Sequence, residues 1–291
     1  MRRFLAAFLL PVFLLPSFPL PARAAAPVRI VAAERVYGDV AAQIAGPGVA
    51  VRSILTNPDQ DPHLFEASPG VARALAGARI VVLNGLDYDP WMANLLAANP
   101  VPGRIVLDAG ALAGQKPGAN PHVWYLPATM PALSRALEAA LVQADPAGAA
   151  GYHARAAAFR ASLAPIAARI AALHARFAGV PVTATEPVFG DLLDAVGLAD
   201  RNWDFQIAVM NDTEPSAAAV AQFETDLRRH RVRLLVYNSQ ASDPVADHMR
   251  ALADAAHVPV LGVTETEPAG TDYQHWVLGE LNALAALLAR P

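Results

Sequence analysis

The sequence predicts an α/β protein of two lobes, each a parallel-rich sheet flanked by helices, joined by one long spine helix. Three observations carry that expectation. Short β-branched runs alternate with alanine-rich helical stretches, the pattern of a parallel sheet covered by helices. One helical stretch of roughly 30 residues stands in mid-chain, longer than globular helices usually run. Beyond it the alternation starts again without a close sequence repeat, so the halves share an architecture rather than an evident tandem duplication. The composition agrees, because 291 residues that are 54% hydrophobic and 16% charged suffice for two lobes and are too apolar for a disordered chain.

The elements follow in order. Arg2 and Arg3 precede an apolar run interrupted by Pro11, and Ala22-Arg23-Ala24 then supplies the alternating small residues that a signal peptidase reads. Residues 1–24 are therefore expected to be a signal peptide, too short for the ~20 apolar residues of a membrane span. The mature protein is expected to be soluble and periplasmic. It is not a lipoprotein, since a chain without cysteine cannot carry a lipid on one, and disulfides and thiolate metal sites are excluded on the same ground. The formal net charge of -4 becomes more negative once the three leader arginines are removed, which disfavours nucleic acid as a partner.

A first lobe over 25–145 is read with strands at 28–32, 49–55, 79–84 and 104–107, and helices at 36–44, 68–76, 90–98 and 131–143. Ser68 stands as an N-cap there, with Pro69 in the first turn. The spine, 146–179, opens at Asp145-Pro146 and carries Tyr152, Phe159, Leu163, Ile166, Ile170, Leu173 and Phe177 at helical spacing, with Gly179 as its stop. A second lobe over 180–291 is read with strands at 180–184, 205–209, 232–238 and 258–263, and helices at 188–196, 214–230, 244–256 and 273–289. Thr213 is the expected cap of the 214–230 helix.

Ligands of open parallel sheets bind beyond the carboxyl ends of the strands, so the polar loops there are the place to look. Four stand out. They hold His63 in Asn57-Pro58-Asp59-Gln60-Asp61-Pro62-His63, His122 in Asn120-Pro121-His122-Val123-Trp124, Glu186 in Thr185-Glu186-Pro187, and Glu265 in Thr264-Glu265-Thr266-Glu267. Two neutral imidazoles and two carboxylates suit a divalent ion such as Zn²⁺, Mn²⁺ or Fe²⁺. Residues so far apart in sequence can meet only if the lobes face each other. For the fourth position Glu267, Asp272 and His275 are rivals of Glu265. The bland reading of Glu186 is a carboxylate at the N-terminus of the helix that follows.

Asp61-Pro62-His63-Leu64-Phe65-Glu66, the run Ala78-Arg79-Ile80-Val81-Val82-Leu83-Asn84-Gly85-Leu86, Trp91-Met92 and the Asn120-Pro121-His122 motif together resemble the periplasmic zinc/manganese-binding proteins of ABC importers, over essentially the whole mature chain. The resemblance implies a two-lobed fold, capture of one Mn²⁺ or Zn²⁺ as cargo in the cleft, delivery to a membrane permease, a monomer, and no catalysis. Carried over by motif, the ligands fall on His63, His122, Glu186 and Glu265. Asn120 replaces the aspartate usual before Pro121-His122. Glu186 stands where many zinc-binding members have His, which leans toward the manganese-binding group. Two rival classes are a secreted metallohydrolase, whose His-Glu-x-x-His signature is missing, and a binding protein for a small organic solute.

Overall fold

The computed structural model describes residues 27–57, 65–240 and 243–290. The expected leader and His63 with the rest of its Pro-His motif lie outside the described residues. Within them, eight strands form two four-stranded parallel sheets of identical order. In the first, β1 (Arg29–Glu34), β2 (Ala50–Leu55), β3 (Ile80–Leu83) and β4 (Ile105–Asp108) run β2-β1-β3-β4; in the second, β5 (Pro181–Ala184), β6 (Ala199–Arg201), β7 (Leu235–Asn238) and β8 (Val260–Val263) run β6-β5-β7-β8. Strands β3 and β7 are buried at every position, as a parallel sheet covered on both faces requires, so they read as unbroken apolar runs.

Helices α1 (Arg35–Ala45), α2 (Pro69–Ala76), α3 (Pro90–Ala98), α4 (Ala109–Leu112) and α5 (Thr129–Ala144) belong to the first sheet. Helix α1 lies so close to β2 that a Cβ on Gly38 would meet the Ser53 hydroxyl at 1.9 Å, so a larger residue there would have to displace the Ser53 side chain.

The expected long spine is present over Pro146–Phe177 and is bent, its segments being α6 (Ala149–Ser162) and α7 (Ala164–Phe177) after a short 3₁₀ turn over Pro146–Gly148. Pro165 is the cause of the break: it has no N–H for the carbonyl of Ala161, and its ring crowds that turn, so the helix bends at Leu163. Gly179 ends the spine with φ +80°, its N–H bonded to the carbonyl of Gly197. The 146–177 stretch is also long and apolar enough, by length and composition, to cross a membrane. Here its apolar side, Tyr152, Phe159, Ile166 and Leu173, is buried in the protein.

Around the second sheet lie α8 (Gly190–Val196), α9 (Trp203–Met210), α10 (Ala217–Arg228), α11 (Pro244–Ala255) and α12 (Tyr273–Leu288). Two expectations fail here. The 205–209 strand is α9, because Phe205 and Val209, four apart, are the buried pair of one helical face. The second-lobe strand is instead the polar three-residue β6, at the sheet edge. Helix α10 is capped by Ser216, whose hydroxyl accepts from Ala219 N at 3.2 Å, and not by Thr213, whose hydroxyl donates to the carbonyl of Ala208.

One apolar core runs from the first sheet through the spine into the second, linking Val40 and Leu137 to Tyr152, Phe159 and Leu173, and these to Leu192 and Leu281. Aromatic contacts close the junction. Tyr125 packs against Phe189 at 4.9 Å and Trp276 at 5.3 Å, and its hydroxyl donates to the carbonyl of Thr264 and to Glu280. Burial lifts the Glu280 carboxyl from 4.5 to about 7, against the hydrogen bonds it accepts from Tyr125, Thr264 and Trp276.

The folded protein therefore holds a proton on Glu280 that the unfolded chain has released. The stability this contributes is complete below pH 4.5 and is lost as pH rises through about 7. In chelator, Glu280→Gln should lose on the order of 1 kcal/mol of the fall in urea-denaturation stability across that window, the figure being kept low because the residue is only half-buried. An unchanged pH profile would show that Glu280 titrates normally.

Candidate metal centre

In both sheets the strand order turns back beside the first strand, and that switch point is where an α/β sheet holds its ligand. Glu186 follows β5, Asn238 ends β7 and Glu265 follows β8. Facing them from the first lobe are Asn84 and Tyr88 after β3, and His122 in the loop that descends from β4 through α4.

The His122 loop is fixed from below. Asn84 donates to the carbonyl of Pro121 at 2.9 Å, and the Tyr37 hydroxyl donates to Asn84 Oδ1. The ring, fully buried, packs edge-on against Tyr88 and Trp124. Its Nδ1 lies 2.7 Å from Asn120 Oδ1, and the Asn120 amide nitrogen donates to the carbonyl of Pro187 across the cleft. That second bond orients the amide, so Asn120 presents its oxygen and His122 Nδ1 carries the hydrogen. In the neutral ring Nε2 then carries the lone pair. It is buried without a hydrogen-bond partner among the described residues and stands 3.7 Å from Glu265 Oε2. A ring nitrogen held this way, with its other nitrogen donating to an oxygen, is the arrangement of a metal-ligating histidine. Asn120 thus touches the His122 ring directly, through its side-chain oxygen.

Glu186 and Glu265 are each 5% exposed and share one amide: Asn238 Nδ2 donates to Glu265 Oε1 at 2.6 Å and to Glu186 Oε1 at 3.2 Å. Glu186 stands at the N-cap position of the turn beyond it but makes no side-chain cap, so its carboxylate is directed elsewhere. The Glu265 loop is held by Gln240, whose side-chain oxygen accepts from the backbone N–H groups of Glu265 and Thr266. Tyr88 donates to Glu265 Oε2 at 2.9 Å; burial, then the Glu265 charge, keep its phenol protonated well above the usual tyrosine range.

The rivals of Glu265 have partners of their own. Glu267 lies 3.5 Å from the Arg35 guanidinium, and burial beside Asp39 raises its carboxyl to about 8. Asp272 caps α12 and pairs with the exposed His275. Glu34, at the end of β1, was not anticipated: both its oxygens are buried, and burial together with Asp89 raises its carboxyl well above the ordinary range. Tyr88, Asn238 and Gln240 were missed as well. Asn238 and Gln240 flank the end of a correctly read strand, where the rule used for the other loops would have found them.

Among the described residues no three His, Asp or Glu side chains are grouped closely enough to hold an ion. What they provide is His122 against Glu265, with Glu186 tied to the latter through Asn238.

The class defined by this fold and site is a two-lobed binding protein with its polar site between facing sheet ends. The chain belongs to the family of the periplasmic component A of zinc-uptake complexes, which it matches over residues 30–287. A putative metal-binding protein of Thermotoga maritima is 27% identical over 103 residues, 34% of either chain. The iron-binding protein YfeA of Yersinia pestis is 27% identical over 145 residues, 47% of this chain and 45% of YfeA. The chain thus spans about a third to under half of the curated relatives it matches. In structure it is similar to the periplasmic zinc-binding protein TroA of Treponema pallidum, with TM-score 0.75, 19% identity, and 91% of this chain and 100% of TroA covered. It also resembles the manganese-bound periplasmic metal-binding protein of Candidatus Liberibacter asiaticus, with TM-score 0.69, 18% identity, and 90% and 99% covered. At these identities the structural likeness speaks to the fold alone.

Asn120→Ala should release the His122 ring: in metal-free protein, the slowly exchanging Nδ1–H resonance of His122 disappears, whereas Asn120→Asp retains it. Persistence of the resonance in the alanine variant would show that another group holds Nδ1.

Proposed function

We propose that this chain is the periplasmic solute-binding component of an ABC importer, capturing one Mn²⁺ or Zn²⁺ between its lobes and handing it to a membrane permease. The ligands in this reading are His63, His122, Glu186 and Glu265. The observation that carries it is the buried Nε2 of His122, which has no hydrogen-bond partner among the described residues and faces a carboxylate oxygen. Burying a lone pair without a partner is costly, and an ion offsets that cost. Family membership supports the transport role, and the names of relatives point to manganese, iron and zinc.

The same reading takes residues 1–24 as the export signal, 25–145 and 180–291 as the two metal-binding lobes and 146–179 as their link, acting as a monomer. Some relatives are manganese-binding lipoproteins; this chain has no cysteine to lipidate. Its task is carriage rather than catalysis. A cage that encloses the ion serves affinity and shielding, whereas a catalytic metal keeps a position open for water.

Purified protein should bind one divalent ion per chain, and binding should weaken as pH falls through the imidazole range, because histidine ligates only when neutral. At a metal concentration of about 100 times Kd, stabilisation of roughly 2.7 kcal/mol is expected for the wild type. His122→Gln should lose at least about 1.4 kcal/mol of it, a tenfold weakening, judged against its own metal-free unfolding because the ring is also a packing element. No metal-dependent stabilisation in the wild type would end the metal reading.

Glu186→His exchanges an oxygen for a borderline nitrogen and should move preference toward zinc in a Mn²⁺/Zn²⁺ competition titration. An unchanged ratio would leave Glu186 as a structural acid.

A further inference from the structure

We propose that the second lobe carries a site for a phosphate-type oxyanion, formed by His230, His257, Arg233 and Arg290 at the end of its sheet opposite the cleft. The inference goes beyond the metal reading and does not depend on it. The four side chains line one open cavity of about 650 Å³, together with residues that lead into β5, β7 and β8, and no carboxylate is among the described residues that line it. Glu186, Asn238 and Glu265 stand at the other ends of the same strands. In a chain of net charge -4 the cavity is a local reversal of sign, and an anion is what it attracts.

The backbone sets the two histidines apart. Helices α10 and α11 end in the same pair of hydrogen bonds: His230 N donates to the carbonyl of Leu227 and Arg231 N to that of Asp226, while His257 N donates to the carbonyl of Asp254 and Val258 N to that of Ala253. Such an end puts one residue in the left-handed region, here His230 at φ +49° and His257 at φ +56°. Glycine adopts that conformation readily, and α8 of the same sheet closes in the same way on Gly197. Helix α9 does so on Asp212, whose short polar side chain tolerates it. A basic side chain near a helix C-terminus also answers the dipole, but any position in the last turn serves that purpose. Histidine stands instead at the position that favours glycine, on two consecutive helices that line one cavity, and this strain accepted twice points to a use for the imidazoles.

The donors suit a tetrahedral oxyanion. Arg233 Nη2 donates to the carbonyls of Leu288 and Arg290 at the end of α12, which holds the guanidinium at the cavity and leaves the hydrogens of Nε and Nη1 for a ligand. Arg233 has no carboxylate partner among the described residues, whereas Arg228 and Arg231 of the same basic run are paired with Glu224 and Asp226. The side chains of His230, His257 and Arg290 make no hydrogen bond or ion pair with the described residues. An imidazole donates from one nitrogen when neutral and from both when charged, and guanidinium hydrogens pair two by two with phosphate oxygens. Two arginines repel a divalent cation, so the two histidines here do not make a second metal site.

The mature full-length protein, kept in chelator so that no metal takes part, tests this. Equilibrium dialysis against labelled inorganic phosphate should find one phosphate per chain, with the ring C–H resonances of His230 and His257 shifting in step with saturation, and chloride at the same ionic strength should do neither. Co-sedimentation with phosphatidylglycerol vesicles, set against phosphatidylcholine vesicles, separates the sources: binding of free phosphate assigns a small anion, and binding to phosphatidylglycerol alone assigns a lipid headgroup. In the double variants His230→Gly/His257→Gly and His230→Asn/His257→Asn, whichever binding is seen should weaken at least about tenfold. Both replacements accept a left-handed backbone, so the variants should fold, as circular dichroism checks. A wild type with no saturable phosphate binding and no preference for the phosphatidylglycerol vesicles would overturn the proposal without any variant. Binding that persists unchanged in both double variants would overturn it as well, by tracing the attraction to the charge of the basic run alone.

Discussion

Two carboxylates of like charge, Glu186 and Glu265, are buried side by side, and the surroundings of the cleft answer to that fact. Unshielded, such a pair repels strongly, since neither charge has water to screen it. Two donors are turned to it, the Asn238 amide and the Tyr88 hydroxyl, while the oxygen of Gln240 accepts from the Glu265 backbone and holds the loop in place. The lone-pair face of His122 completes the set with an acceptor, which adds no positive charge while the ring is neutral. Buried carboxylates, and a ring nitrogen that has no hydrogen-bond partner among the described residues, are thus brought together between the lobes.

Holding that arrangement requires that the lobes keep their distance, and the core explains how. Apolar packing passes without interruption through the bent spine, so rotation of one lobe against the other would have to pull Tyr125 from Phe189 and Trp276 and break its bonds to the second lobe. Asn120 does the same within the site, serving His122 on one side and the carbonyl of Pro187 on the other. Ligand orientation and lobe spacing are therefore set by the same residues.

Two like sheets give two switch points, and both open toward one cleft. Within each sheet the strands are parallel, so the loops that follow them all leave at one end. The chain repeats the order without repeating the sequence, because what must recur is the apolar run and the helix after it, not particular side chains.

The sequence by itself determined the fold class, the order of most elements, and His122, Glu186 and Glu265 as residues beyond strand ends. Those are local properties: β-branched runs, helical periodicity and proline-bounded loops act over a few residues. Misreadings came where local signals are ambiguous. The 205–209 run is too short to separate period two from helical spacing, and the polar β6 lacks a strand's apolar mark because it lies at an edge. The proline at 165 was visible, but the bend it causes was absorbed into a continuous apolar stripe. Only the tertiary structure separated Glu265 from Glu267, two residues apart on one loop, by turning one toward Asn238 and the other toward Arg35. It also supplied the partners of Asn238, whose place at a strand end is legible in the sequence but whose bonds to Glu186 and Glu265 are not. Hydrogen bonds between distant residues depend on where the whole chain goes, and that information resides in no single segment.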